Sequence, residues 1–154
     1  MSELIECCLN GCASKDLHAL LDEVGVRVRG DIEVEFHEEG GEVIRCSLEQ
    51  VVRRILQESQ TSCDLRIPKF LPGPGVSIHD LVLQVFPVGS RFDLFLNFRE
   101  EAVSDLSAAI RALNEWTTHL RSRFGLADVY CGIDPADDEG TRFFTNGTLG
   151  PMLA

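Results

Sequence analysis

The chain has no apolar run that approaches the roughly 20 residues a membrane-spanning helix requires. Its first residues, from Met1 to Glu6, are acidic and lack the basic region with which secretion signals begin. Lysine is scarce, since only Lys15 and Lys69 accompany twelve arginines. From the first two absences we expect neither a membrane-spanning helix nor a leader, and we expect a cytoplasmic location.

Catalytic signatures are absent as well. No Gly-x-Ser-x-Gly, His-Glu-x-x-His or phosphate-binding glycine loop occurs, and the four histidines follow no motif. The six cysteines are Cys7, Cys8, Cys12, Cys46, Cys63 and Cys131. They include no Cys-x-x-Cys pair of the kind that structural zinc sites use, so reduced and mostly buried thiols are expected. The sequence therefore predicts no catalytic residue, no cofactor and no metal site.

The composition is that of a globular protein with an acidic balance. Apolar residues make up 44% of the 154 residues, spread along the whole chain, which predicts a single domain over 1–154. The formal net charge is −11. This charge disfavours nucleic acid and anionic membranes as partners and attracts a basic protein. Solubility alone is the alternative explanation of the acidity.

The hydrophobic pattern predicts alternating strands and helices. Strands are predicted over 3–9, 26–36, 42–46, 81–88, 91–99 and 127–133, with a short edge strand over 141–145 and a tail after it. Helices are predicted from Ser14 to Gly25, from the capping box at Ser47 to about residue 59, and from Ser104 to Phe124. Several prolines and glycines predict a loop over about 61–79.

The resulting order, βαββα-ββαβ, predicts an α+β fold. We expect a mixed or mostly antiparallel sheet with three helices packed mainly on one face and the other face partly exposed. The opening βαββα is similar to the start of a ferredoxin-like arrangement.

A run of carboxylates is the strongest functional feature of the sequence. From Asp31 to Glu42 there are six carboxylates and no lysine or arginine. On a strand, Asp31, Glu33 and Glu35 share one face at intervals of about 6.5–7 Å. The turn adds Glu38 and Glu39. Such a surface fits a basic cleft, and a plain solvent-facing sheet face is the alternative.

A second acidic patch lies in the loop after the last long strand and comprises Asp137, Asp138 and Glu139. Hard cations favour carboxylate clusters, but the spacing here does not match a calcium-binding loop. A solvated turn is the alternative, since Asp-Pro at 134–135 is typical of turns.

In size, acidity and architecture the chain resembles the small cytoplasmic immunity proteins that bacteria pair with secreted toxins. The features behind this resemblance are the acidic hairpin from Asp31 to Glu42 and the segment from Gly132 to Phe144. The resemblance implies a protein-binding module that neutralises a basic toxin or enzyme by occluding its active site. Two alternatives remain: a homo-oligomeric structural or regulatory subunit, joined through the hairpin from Leu81 to Phe98, and an enzyme of unrecognised type.

Overall fold

The computed structural model describes residues 2–37, 43–57 and 61–152, and their strands form one sheet in which every pair is antiparallel. The strands are β1 (Leu4–Ala13), β2 (Val28–Arg29), β3 (Glu33–Phe36), β4 (Val43–Arg45), β5 (Cys63–Gly73), β6 (Val76–Val88), β7 (Arg91–Arg99), β8 (Asp128–Ile133), β9 (Arg142–Thr145) and β10 (Thr148–Leu149). Their order across the sheet is β10-β9-β8-β1-β7-β6-β5-β3-β4, and β2 pairs with β5 beside this path.

Within the described ranges, three α-helices cover one face of this sheet. They are α1 (Leu17–Val26), α2 (Leu48–Gln57) and α3 (Leu106–Phe124). Their buried residues join one hydrophobic core with alternate residues of the strands, such as Leu94 and Leu96 of β7. The predicted α+β fold, with an antiparallel sheet and helices on one face, is confirmed. No helix within the described ranges has the length and apolarity to cross a membrane.

The split βαβ arrangement expected of a ferredoxin-like fold is found in the second half of the chain. β1 lies between β7 and β8 and is antiparallel to both, so those two strands run in the same direction. α3 connects them. In the first half, three strands separate β1 from β3, so the opening elements do not form this unit.

The loop predicted over 61–79 is wrong, because β5 and β6 occupy most of it. Pro68 lies where β5 passes from its pairing with β3 to its pairing with β2. Gly30, at the break between those two short strands, faces its ring, and a Cβ there would lie 3.3 Å from Pro68 Cγ. A proline without an N–H group is tolerated at such a gap in the ladder. The chain turns from β5 into β6 through only two residues, Pro74 and Gly75, and Gly75 has a φ of 72°.

The helix ends follow the predicted chemistry at some positions and not at others. Ser47 and Gln50 form the predicted capping box, with reciprocal hydrogen bonds of 3.0 and 3.3 Å. α3 ends at Phe124, as predicted, and Gly125 follows it in the left-handed conformation. The predicted stop at Gly25 is wrong, since α1 continues to Val26. Asp105, rather than Ser104, caps α3 by accepting a hydrogen bond from the Ala108 N–H.

The predicted edge strand over 141–145 is an interior strand, and the predicted tail contains a further strand. β10 pairs with β9 through a two-residue turn, Asn146-Gly147, whose φ angles are 50° and 87°. Two consecutive residues with positive φ form the tight turn that suits the twist of a hairpin.

We predict that Gly132→Ala lowers the free energy of unfolding by about 1–3 kcal/mol, the usual cost of overpacking. Gly132 is buried, and a Cβ there would lie 2.7 Å from the Thr141 carbonyl oxygen, a backbone atom that cannot move aside alone. Urea denaturation measures the change.

Gly25→Ala is the matched control. Its Cβ would meet only Leu48 Cδ1, at 2.7 Å. The half-buried Leu48 side chain can shift to make room, and alanine is favoured over glycine inside a helix by about 1 kcal/mol. Equal stabilities for wild type and Gly132→Ala would contradict the packing described here.

Candidate partner-binding surface

The sheet face opposite the helices carries two rows of side chains whose positions follow from the strand register. The first row is Glu33, Arg66, Val82, Asn97, Glu6, Gly132 and Arg142. The second row is Glu35, Asp64, Gln84, Phe95, Cys8, Tyr130 and Thr145. We call these fourteen residues the open face; all but Cys8 and Gly132 keep some solvent exposure. The α-helices pack on the other face, and at the β8 end the loop after β8 lies against the open face, where Arg142 Nε donates to the Ala136 carbonyl oxygen at 2.8 Å.

A groove of about 490 Å³ lies at the β3 side of the open face. Its charged residues are Asp31, Glu33, Asp80, Arg45 and Arg66. We call it the acidic groove. Arg45 pairs with Glu33 at 3.2 Å, whereas the described residues provide no ion-pair partner for Asp31 or Asp80. Unpaired carboxylates are therefore available at this side of the sheet.

A chain of polar side chains runs across the open face from β5 to β7. His37 Nε2 lies 3.2 Å from Asp64 Oδ2, and its Nδ1 lies 2.8 Å from the Ser62 hydroxyl. Gln84 Nε2 donates to Asp64 Oδ1 at 3.2 Å, and Asn97 Nδ2 donates to Gln84 Oε1 at 3.1 Å. These bonds hold the side chains in place before any partner arrives, which lowers the entropic cost of binding.

Aromatic rings occupy the centre of the same surface. Phe86 and Phe95 meet edge to face with ring centroids 5.6 Å apart, and both rings are only half-buried. The Arg142 guanidinium lies 4.1 Å from the centre of the Tyr130 ring. Aromatic residues and arginine are the types enriched at the energetic centres of protein interfaces.

Burial raises the pKa values of the ionisable groups around Tyr130. Desolvation raises the pKa of the Tyr130 phenol to about 12. Desolvation, with the nearby Asp134 carboxyl, raises the pKa of Glu6. The Cys8 thiol, whose Sγ lies 3.2 Å from Glu6 Oε1, also has a pKa raised by burial.

Cys12 and Cys63 have raised pKa values, whereas a nucleophilic cysteine needs a lowered one. Burial raises the pKa of Cys12 to about 11 and that of Cys63 to about 12. Cys7 lies in the core while Cys8 lies on the other face, so these neighbours point apart as expected from a strand.

The structure brings only part of the predicted acidic site together. Glu33 and Glu35 project from β3 onto the open face, and Asp31 lines the acidic groove beside them. Glu38 and Glu39 lie outside the described residues. The second predicted patch is exposed in the loop after β8 and comprises Asp137, Asp138 and Glu139. Five strand spacings of about 4.8 Å, or about 24 Å, separate β3 from β8.

The centre of the surface was missed by sequence reasoning. Gln84, Phe95 and Asn97 occupy the positions between core residues of β6 and β7. The available signal was a large apolar residue, Phe95, on the polar side of an alternating strand. Nothing in the sequence showed that Tyr130 and Asp64 would join it.

Comparison with known proteins assigns this chain to a family. The profile of the PABL017 Cdi1I immunity protein family matches residues 3–148, almost the whole chain. The chain belongs to this family. The expected resemblance to toxin-immunity proteins is thereby confirmed. No curated protein matches the chain.

A solved structure has the same fold. It is the 1.75 Å crystal structure of the toxic C-terminal tip of CdiA from Pseudomonas aeruginosa in complex with immune protein. The matching chain is 24% identical, with a TM-score of 0.84, and the match covers 99% of this chain and 100% of that chain. At this identity the likeness shows the fold alone.

We predict that Tyr130, the only tyrosine, ionises with a midpoint near pH 12 in the folded protein. The unfolded chain should ionise near pH 10. Because the folded pKa is the higher one, the contribution of the neutral phenol to stability is complete below about pH 10 and is lost as pH rises toward the folded pKa.

Absorbance at 295 nm follows the tyrosinate, and circular dichroism at each pH identifies the folded samples. A midpoint near pH 10 in folded protein would contradict the burial of this phenol.

Proposed function

We propose that this immunity protein neutralises a basic toxin by holding it against the open face, so that the acidic groove covers the toxin's active site. The observation that carries the proposal is the sheet face that the helices leave free, with its ordered polar groups and half-buried aromatic rings. Membership of an immunity protein family supports a toxin as the partner. The solved complex of related fold pairs a CdiA toxic tip with its immune protein, which is consistent with such a partner.

In the first step of binding, electrostatic attraction brings the toxin to this protein. The chain carries a formal net charge of −11. Asp31 and Asp80 have no ion-pair partner among the described residues, and Glu35 projects from the same side of the sheet. Long-range attraction of this kind accelerates association with a basic protein and falls with ionic strength.

The Phe86 and Phe95 rings, which we call the aromatic centre, act in the second step, in which the bound toxin is retained. The Phe86 and Phe95 rings are half-buried, so part of their apolar surface remains to be removed from water. The polar chain from His37 to Asn97 borders them and excludes water around the contact. We therefore expect these rings to govern the dissociation rate.

The proposed location is the cytoplasm, and the proposed organisation is one domain over 1–154. All six cysteines are free thiols. Cys7 and Cys131 lie directly opposite each other on β1 and β8, where an oxidising compartment would favour a bond between them. The proposed cytoplasmic location therefore predicts that Cys7 and Cys131 remain reduced.

A homodimer through the hairpin from Leu81 to Phe98 has less support. β6 and β7 are interior strands with neighbours on both sides, so this hairpin has no free edge for strand pairing. Light scattering on the purified protein gives the oligomeric state directly.

We predict that the double substitution Glu33→Lys and Glu35→Lys slows association with the toxin roughly tenfold at low salt and weakens its salt dependence. Stopped-flow mixing with the toxin domain, isolated with the protein from its native host, measures the rate. Association is expected to slow because the two lysines remove the local attraction between the acidic groove and the toxin.

The control is Glu100→Lys with Glu101→Lys, which makes the same change in net charge at exposed positions outside the open face. Equal slowing by both double variants would show that net charge alone matters, and no slowing by the first would refute the placement of the site.

We predict that Phe95→Ala accelerates dissociation of the toxin roughly 30-fold, as expected for an interface residue worth about 2 kcal/mol, and leaves association little changed. Surface plasmon resonance separates the two rates. Val26→Ala is the control, because Val26 is an apolar residue with 72% exposure on the helix side. An unchanged dissociation rate for a folded Phe95→Ala protein would remove the aromatic centre from the interface.

A further inference from the structure

A second groove, of about 560 Å³, lies on the helix side of the sheet between α3 and the turn that joins β5 to β6. Its charged and titratable residues are Arg27, Arg111, His119 and Glu115. We call it the basic groove. Two guanidinium groups and one imidazole face a single carboxylate there, which is the reverse of the chain's overall charge balance.

Arg27 is fixed in place at one wall of the basic groove. Its Nη1 donates to the carbonyl oxygens of Leu71 and Pro72 at 3.3 and 2.8 Å. The guanidinium also lies 5.3 Å from the centre of the Trp116 ring. A guanidinium has five N–H donors, so other donors remain for an incoming oxygen.

The opposite rim is a line of side chains along α3. Arg111, Glu115 and His119 are spaced four residues apart and therefore lie on one side of the helix. Eight residues of helix separate Arg111 from His119 along the axis by about 12 Å. Within the described ranges Arg111 has no ion pair, although Glu115 is one turn away.

The floor of the basic groove is apolar and narrow. Val76, Ala108 and Ala112 line it, and a Cβ on Gly73 would lie 3.0 Å from Ala112 Cβ. Trp116 also lines the groove and is 4% exposed, so its ring belongs to the apolar floor.

We propose that the basic groove binds an extended acidic segment of a second protein. In an extended chain, four residues span about 13 Å, which matches the distance of about 12 Å between Arg111 and His119. Side chains at positions i, i+2 and i+4 of such a segment point the same way. Carboxylates at i and i+4 then meet Arg111 and His119, while a lysine at i+2 meets Glu115.

This surface lies on the other side of the sheet from the open face, because α3 packs on the core side. The inference therefore goes beyond toxin binding, and the toxin and the acidic segment can be held at the same time. Its test requires no toxin, so its failure leaves the proposed function untouched.

Trp116 is the only tryptophan, so its fluorescence reports directly on the basic groove. The full chain is titrated with the peptide acetyl-Ala-Glu-Ala-Lys-Ala-Glu-Ala-amide. The control peptide exchanges glutamate and lysine. We expect a saturable change with the first peptide only.

Arg111→Gln should weaken this binding roughly two- to fivefold, the effect of losing one exposed ion pair. Arg99→Gln, which removes an exposed arginine of β7 outside the groove, should leave it unchanged. Equal responses to both peptides, no response to the first, or equal affinities for wild type and Arg111→Gln would each overturn the proposal.

Discussion

The antiparallel register across β3, β5, β6, β7, β1 and β8 determines what this protein can present to a partner. Successive residues of a strand point to opposite faces, and the described helices take all of one face. Every second residue of six neighbouring strands is thereby aligned on the other face. Glu35, Asp64, Gln84, Phe95 and Tyr130 come from distant parts of the sequence and form one row only because the register aligns them.

Charge and apolar surface have separate positions on this face, and we infer separate roles for them. Asp31 and Glu33 of the acidic groove lie at the β3 side, and Asp80 lies on β6 six residues before Phe86. The aromatic rings of Phe86 and Phe95 lie over β6 and β7. Long-range attraction acts before contact and sets the association rate, while the burial of aromatic surface acts after contact and sets the residence time. An immunity protein needs both, because a toxin must be captured quickly and retained.

Local chemistry was predictable, and features that depend on distant contacts were not. The strands over 81–88 and 91–99, the Ser47 capping box and the long helix that ends at Phe124 were predicted from neighbouring residues. The loop over 61–79 was wrong because the gap opposite Pro68 is a tertiary feature. The site followed the same division: the acidic strand was visible in the sequence, and the aromatic centre was not.

The central claim is that the open face contacts the toxin. Carbodiimide labelling of carboxylates, read by mass spectrometry with and without bound toxin, tests it most directly. The account predicts that toxin protects Asp31, Glu33 and Glu35, whereas Glu100 and Glu115 are labelled to the same extent in both samples. Unchanged labelling of the three acidic-strand residues, with protection elsewhere, would show that the toxin binds another surface.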